Sequence, residues 1–232
     1  MKIFYLLCAL LMESFVYSQT AEQYFKAGIA KVNIQDYNGA IGDFTKAIEL
    51  EPALAICYFN RGLSKYYLKD YRGAIVDYSK ATDLDPVDEV APYNNGLAKY
   101  KLQDYSGAIT DYTKAIKINP KYAVAYFNRG LAKCDIHDYQ DAIIDFNEAV
   151  NLNYSGAYLS RGSIKGRLKD YEGSISDLTK AIEIEPTNAE AYYNRGLSKI
   201  RYGQKESGCM DLNNAVELGQ TTASEAILKY CQ

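Results

Sequence analysis

The stretch AYFNRGLAKCDIHDYQDAIIDFNEAV, Ala125 to Val150, gathers residue types that can do chemistry: Asn128, Arg129, Lys133, Cys134, His137 and Asp145. A thiol, an imidazole and carboxylates are the raw material of nucleophilic catalysis and of metal binding. Both chemistries require several such groups to converge. His137 is the only histidine in 232 residues, and no glycine-rich phosphate loop occurs anywhere in the chain. Neither a catalytic residue, a metal ligand nor a cofactor site is therefore expected, and the chain does not read as an enzyme. A net charge of −3 also argues against a nucleic-acid binder, which carries a basic balance.

The elements that position this stretch are visible once its siblings are aligned. FNRGLSKY at Gly62, YNNGLAKY at Gly96, FNRGLAKC at Gly130, LSRGSIKG at Gly162 and YNRGLSKI at Gly196 repeat one string, and FKAGIAKV at Gly28 is a weaker copy. Each of the first five glycines is followed at a fixed distance by Asp-Tyr: Asp36-Tyr37, Asp70-Tyr71, Asp104-Tyr105, Asp138-Tyr139 and Asp170-Tyr171. Most copies end in proline: Pro52, Pro86, Pro120 and Pro186. Tyr58, Gly62 and Lys65 share one face of a first helix, and Ala74, Tyr78, Ala81 and Leu84 form a stripe on a second. The LKDYRG segment between them reads as a turn, and the proline stops the second helix. A hairpin this small buries its stripe only against neighbouring hairpins. Read this way, His137 is a solvated turn residue, equivalent to Gln35, Lys69, Gln103 and Lys169.

The pattern resembles the tetratricopeptide repeat (TPR) family. The residues that carry the resemblance are the glycines, the tyrosines four before them (Tyr24, Tyr58, Tyr126, Tyr158, Tyr192), the alanines Ala40, Ala74, Ala108 and Ala142, the aromatics Phe44, Tyr78, Tyr112 and Phe146, and Ala47, Ala81, Ala115, Ala149, Ala181 and Ala215. The small residues let helices approach closely, and the large ones fill the space between repeats, which explains most of the 23 tyrosines. The resemblance implies an all-α fold: a right-handed α-solenoid of six helix–turn–helix units, near 21–54, 55–88, 89–122, 123–154, 155–188 and 189–220, with residues 221–232 as a C-terminal capping helix.

Two departures from the family are systematic. Arg61, Arg129, Arg161 and Arg195 stand just before the glycine, and Lys31, Lys65, Lys99, Lys133, Lys165 and Lys199 stand three after it. Asp43, Asp77, Asp111, Asp145, Asp177 and Asp211 recur at the same period on the second helices. Ion pairing along the stack is the expectation, because a half-buried lysine is otherwise costly. The competing reading is a basic track for an anionic ligand.

Family members bind peptides on the concave face of the superhelix, which is lined by first-helix residues. The matching positions here are Phe59, Tyr93, Phe127 and Tyr193; Leu63, Leu97, Leu131 and Leu197; Tyr66 and Tyr100; and Asn60, Asn94, Asn128 and Asn194. An amide carries both donor and acceptor, so a row of asparagines can hold a peptide backbone without reading its sequence. The bland alternative is that these asparagines belong to the repeat subtype and only link helices. The leading expectation is a scaffold that binds an extended peptide or partner protein. The other is a structural subunit of an envelope or secretion assembly that docks through its edges or convex surface.

Three irregular places complete the reading. MKIFYLLCALLMESFVYSQT has one lysine, an apolar run from Ile3 to Met12 and a small residue before Gln19, the layout of a signal peptide over residues 1–18 and hence of export to the periplasm or beyond. The run is too short to span a bilayer, and bulky Leu7 before Cys8 argues against lipid attachment there; a first helix retained on the protein is the alternative. The fourth copy is two residues short, with Tyr154 in place of proline, and the fifth carries Gly166, Ser174 and Leu178, so a soft or bent joint is expected there. Last, Cys209 opens one helix and Cys231 ends the antiparallel cap, so a disulfide is expected in an exported protein.

Overall fold

In a computed structural model, residues 20–232 are described. The leader-like segment 1–18, Cys8 and the junction at Gln19 lie outside them. The described residues form thirteen α-helices and no strand. In chain order these are α1 (Ala21–Asn33), α2 (Tyr37–Leu50), α3 (Ala55–Tyr67), α4 (Tyr71–Leu84), α5 (Val90–Lys101), α6 (Tyr105–Ile118), α7 (Ala123–Asp135), α8 (Tyr139–Asn151), α9 (Ala157–Arg167), α10 (Tyr171–Ile184), α11 (Ala189–Arg201), α12 (Lys205–Glu217) and α13 (Thr222–Tyr230). The architecture is an all-α helical-repeat solenoid. Among the described residues no helix is long and apolar enough to cross a membrane.

The turn between paired helices is built the same way each time. Six residues seven places after the repeat glycines have left-handed backbone: Gln35, Lys69, Gln103, His137, Lys169 and Gly203, with φ from 61° to 96°. Only the sixth is the residue type that adopts this region without steric cost. The turn then delivers an aspartate to the start of the second helix. Asp36, Asp70, Asp104 and Asp170 accept from the backbone N–H groups of Gly39, Gly73, Gly107 and Gly173 at 2.9–3.0 Å. The glycine is part of this N-cap: a Cβ on Gly73 would lie 2.1 Å from Asp70 Oδ2. The fourth copy has Asp141 at that place, and Asp138 makes no side-chain cap bond.

The chain divides into two compact units, one ending at Ala98 and one running from Lys99 to Gln232. In the first, α1 pairs with α2 and α3 with α4, and α2 packs on α3. Phe44 presses on the backbone of Gly28, where a Cβ would fall 2.6 Å from its ring. Two buried clusters follow: Ala21, Ala47, Ile48 and Cys57, and then Ala74, Tyr78 and Ala98. At about 25 cal/mol per Å² of apolar surface, these shared faces are what makes each hairpin stable beside its neighbour.

In the second unit α7 pairs with α8, α9 with α10 and α11 with α12, each hairpin packing on the next. Phe146 lies against Gly130, Leu178 against Gly162 and Leu212 against Gly196. The short connection between α8 and α9 closes without proline. Asn153 takes a left-handed backbone (φ 64°), and Tyr154 turns its ring back onto Phe127, 4.9 Å between centroids. Gly166, Ser174 and Ser198 are all buried at one spot, where the two serine hydroxyls hydrogen bond at 2.8 Å. Helix α13 covers the last face with Ala223 and Ala226 against Leu212 and Ala215.

Candidate functional site

The charged residues of the repeat are held on the inside of each hairpin. Lys31–Asp43 and Lys65–Asp77 in the first unit, and Lys99–Asp111, Lys133–Asp145, Lys165–Asp177 and Lys199–Asp211 in the second, have Nζ–Oδ distances of 2.6–2.9 Å. Arg61, Arg129, Arg161 and Arg195 add a second cation, each donating from Nε and Nη2 to both oxygens of the same aspartate. The third guanidinium nitrogen reaches Thr45, Thr113, Asn147 or Thr179 on the preceding second helix. The planes also lie over Tyr58, Tyr126, Tyr158 and Tyr192 at 5.4–5.6 Å. Hydrogen bonding to Asp77 holds the Arg61 guanidinium above its already high pKa. These cations are committed to carboxylates, so the pairing expectation holds and the basic track is not formed by them. Asn95 replaces the arginine in the third copy and donates instead to Ser79 Oγ at 3.1 Å.

The residues expected to meet a peptide lie elsewhere on the first helices. Phe59, Leu63, Tyr66, Tyr93 and Leu97 in the first unit, and Tyr100, Phe127, Leu131, Tyr193 and Leu197 in the second, are half-buried. Each has an inward side. Phe59 touches Tyr78 and Phe127 touches Phe146, with ring centroids 5.7 and 5.9 Å apart. Tyr66 and Tyr100 stand edge-on to Tyr71 and Tyr105, both at 5.3 Å. Tyr100 also donates its hydroxyl to Asp135 Oδ2 at 2.5 Å, and burial followed by that bond raises its pKa.

The asparagines are tied to backbone. Asn60, Asn94 and Asn128 donate from Nδ2 to the carbonyls of Ile56, Val90 and Val124 at 2.8–3.0 Å. Asn194 donates instead to Ser163 Oγ at 3.1 Å. Asn60 is only 8% exposed, while the other three are half-buried. The helix thus takes one of the two N–H bonds of each of the first three amides and fixes the plane of the group.

Two cavities border these residues. In the first unit a cavity of about 380 Å³ is walled by Ile56, Phe59, Asp85, Asp88 and Val90. In the second a cavity of about 510 Å³ lies between α9 and α11, bounded by Ser163, Gly166, Tyr193, Asn194 and Leu197. Both volumes fall in the range of ligand sites. In the sequence Gly166 is marked as a departure and Ser163 is not singled out; Ser163 stands where the sibling repeats carry leucine.

The residues that first suggested chemistry do not converge. His137 is exposed in the turn, its Nδ1 2.9 Å from the Tyr139 hydroxyl. Cys134 is a free, half-buried thiol whose pKa burial pushes up to about 11. Among the described residues no group of three His, Cys, Asp or Glu could hold a metal ion. Cys209 and Cys231 are joined by a disulfide that fixes α13 to α12, and Lys205 Nζ donates to the Gln232 carbonyl at 3.0 Å.

Comparison with known proteins agrees with this geometry. A tetratricopeptide repeat model matches residues 55–88, and a TPR repeat model matches 96–136 and 157–201, together just over half the chain. No curated protein matches the sequence. Among solved structures, YrrB, described as a TPR protein with an unusual peptide-binding site, is 23% identical with a TM-score of 0.72, over 80% of this chain and 97% of that one. MamA is 26% identical with a TM-score of 0.67, over 76% and 94%. PilF of Pseudomonas aeruginosa is 15% identical with a TM-score of 0.74, over 90% and 96%. With its repeated hairpins, its helix-packing glycines and these matches, the chain belongs to the tetratricopeptide repeat family.

Proposed function

We propose that the chain is a non-catalytic protein-interaction scaffold that binds an extended segment of a partner along the first-helix faces of its repeats. One observation carries this reading. The aromatic and leucine rows remain half-exposed on helices whose neighbouring residues are buried, and in each unit a cavity opens beside them, at Phe59 and at Tyr193. A surface of this kind, apolar with amides held in fixed planes, suits a peptide backbone with alternating side chains. The peptide-binding site announced for YrrB, a structural relative, is in keeping with it. The test replaces Asn60, Asn94 and Asn128 by alanine together. The scaffold reading expects lost capture of cross-linked native partners with an unchanged circular dichroism spectrum and melting curve.

The second reading, a structural subunit docking through its outer helices, is favoured by exposed apolar residues on second helices: Val76, Ile144 and Met210 are 66%, 58% and 67% exposed. It expects the triple asparagine variant to assemble normally and Ile144→Ser with Met210→Ser to fail. We also propose export through residues 1–18. The Cys209–Cys231 disulfide supports this, since such bonds persist in oxidising compartments. Intact-mass measurement of protein from the extracytoplasmic fraction should give a chain that begins at Gln19; protein confined to the cytoplasm would refute export.

A further inference from the structure

We infer that the cavity between α9 and α11 is an anchor site for a bulky apolar side chain within an acidic stretch of the bound peptide. The inference rests on the peptide-scaffold reading and adds to it a place and a partner chemistry.

The cavity is bordered by two positions where sibling repeats carry larger residues, and Ser163 is the one that faces the open side, since Gly166 faces the buried Ser174 and Ser198. One residue after the repeat glycine, the siblings carry Leu63, Leu97, Leu131 and Leu197, and α9 carries Ser163. Four residues after it, the second and third copies carry Tyr66 and Tyr100, and α9 carries Gly166. The space does not collapse, because the backbone around it is already in contact. A Cβ on Gly166 would lie 3.0 Å from Ser198 Oγ and 3.1 Å from Ser174 Oγ, so α9 is fully seated on its neighbours. What is missing on the open side is the leucine volume that Ser163 lacks, and a side chain from a partner can supply it. Tyr193 and Leu197 form the apolar wall, and both are backed by the cluster around Leu212 and Ala215. The polar wall is preset: Asn194 donates to Ser163 Oγ at 3.1 Å, and Ser163 donates to the Leu159 carbonyl at 2.8 Å.

Charge identifies what flanks the anchor. Arg167 and Arg201 line the cavity and are exposed. The other arginines of this unit, Arg129, Arg161 and Arg195, are bidentate to aspartates. Arg167 lies over the Tyr139 ring at 5.1 Å and Arg201 meets the Tyr230 hydroxyl, and among the described residues neither forms an ion pair with a carboxylate. Glu190 is the one acid among the lining residues. Two guanidinium groups without a carboxylate partner, against one lining carboxylate, make a positive rim on a chain of net charge −3, so acidic side chains beside the anchor are favoured.

The test uses the full chain and three short fluorescein-labelled peptides followed by anisotropy: one rich in Asp and Glu with a single central Phe, the same peptide with Phe→Ala, and a version with lysines for the acids. The acidic Phe peptide is expected to bind with an affinity that falls as salt rises, and the other two about tenfold or more weakly. Ser163→Leu restores the sibling residue and fills the space; Arg167→Gln with Arg201→Gln removes the rim. Each should weaken the acidic Phe peptide about tenfold while the melting curve is kept. The Gln pair changes only exposed side chains, so it decides the matter should Ser163→Leu unfold the chain. Unchanged binding of the acidic Phe peptide to these variants overturns the inference. So does tight binding of the Ala or Lys peptide, and if that binding is lost on replacing Asn60, Asn94 and Asn128, the scaffold reading stands without the anchor. If none of the three peptides binds, the inference falls, while the scaffold reading still stands or falls on partner capture by the chain with Asn60, Asn94 and Asn128 replaced.

Discussion

The α3/α4 and α9/α10 hairpins are two drafts of one repeat, and they agree where the fold is held and differ where a partner would be met. Their inner charges superpose residue for residue: Arg61, Lys65 and Asp77 in one, Arg161, Lys165 and Asp177 in the other, with pair distances of 2.6–2.9 Å. Both have an aspartate cap, Asp70 on Gly73 and Asp170 on Gly173. Other first-helix residues diverge: Phe59, Asn60, Leu63 and Tyr66 become Leu159, Ser160, Ser163 and Gly166. Holding the charges and caps constant allows the rest of the first helix to vary without loss of the hairpin.

The largest effect that could break this comparison is loss of the shared aspartate. Asp77 and Asp177 side chains are 1% and 6% exposed, whereas their cations keep 14–21%. Removing the acid strands two cations in a partly dry interface, yet both can reach water with small movements. Asp77→Ala and Asp177→Ala should therefore each lose about 3 kcal/mol, the lower end for a broken buried pair. Urea unfolding followed by circular dichroism measures it. A loss at one position and none at the other would show that the two hairpins are not held alike.

A smaller effect separates them. A Cβ at Gly62 would lie 3.1–3.2 Å from Tyr78 and Asp77, while at Gly162 it would lie 2.8 Å from Leu178 Cγ. Tyr78 and Leu178 are both fully buried, so neither can swing aside, and the closer approach at Gly162 sets the order. Gly162→Ala should lose about 2 kcal/mol and Gly62→Ala about 1 kcal/mol, within the range for overpacking. Equal melting temperatures for the two variants would contradict this.

Much of this frame is legible in the sequence, because it repeats. Six lysines and six aspartates at one period require a shared partner, and the structure pairs all six. The helix-packing glycines are legible for the same reason. What repetition hides is whatever occurs once. Gly166 and Ser174 read as weak choices because a helical glycine loses about 1 kcal/mol relative to alanine. Their partner, Ser198, stands 24 residues beyond Ser174 and repeats Ser64 of the second copy, so its place in the repeat gives no sign of this bond. The aspartate caps were hidden differently: Asp-Tyr reads as turn composition, and the need for glycine three residues later appears only when the carboxylate is placed. The asparagine row was legible as a row, but not its hydrogen bonds to the helix carbonyls.

The serine pair offers the next test. The α3/α4 hairpin has Ala74 where α10 has Ser174. Ser174→Ala leaves the buried Ser198 hydroxyl without its 2.8 Å partner, and should lose about 1.5 kcal/mol. Adding Ser198→Ala should restore much of this, since the pair then resembles the apolar contact of the other hairpin. A double variant as unstable as the sum of the singles would mean that the hydroxyls do not interact.

The caps give the smallest effect and the sharpest contrast. Asp70→Ala and Asp170→Ala should each lose about 1 kcal/mol, as a lost N-cap does. Asp138→Ala should change stability by less than about 0.5 kcal/mol, because Asp138 makes no cap bond. Asp141 explains the exception: its side chain occupies the place of the cap glycine, and its carboxylate repels that of Asp138. Asp141→Gly alone is a poor test, because a gained cap is offset by glycine's extra backbone entropy and by loss of an acid from the first helical turn. The informative measurement is the cycle. In the Asp141→Gly background, Asp138→Ala should now lose about 1 kcal/mol, as at Asp70 and Asp170. If Asp138 remains silent there, glycine is not what allows the aspartate to turn in, and the agreement between Asp70 and Asp170 must come from the turn itself.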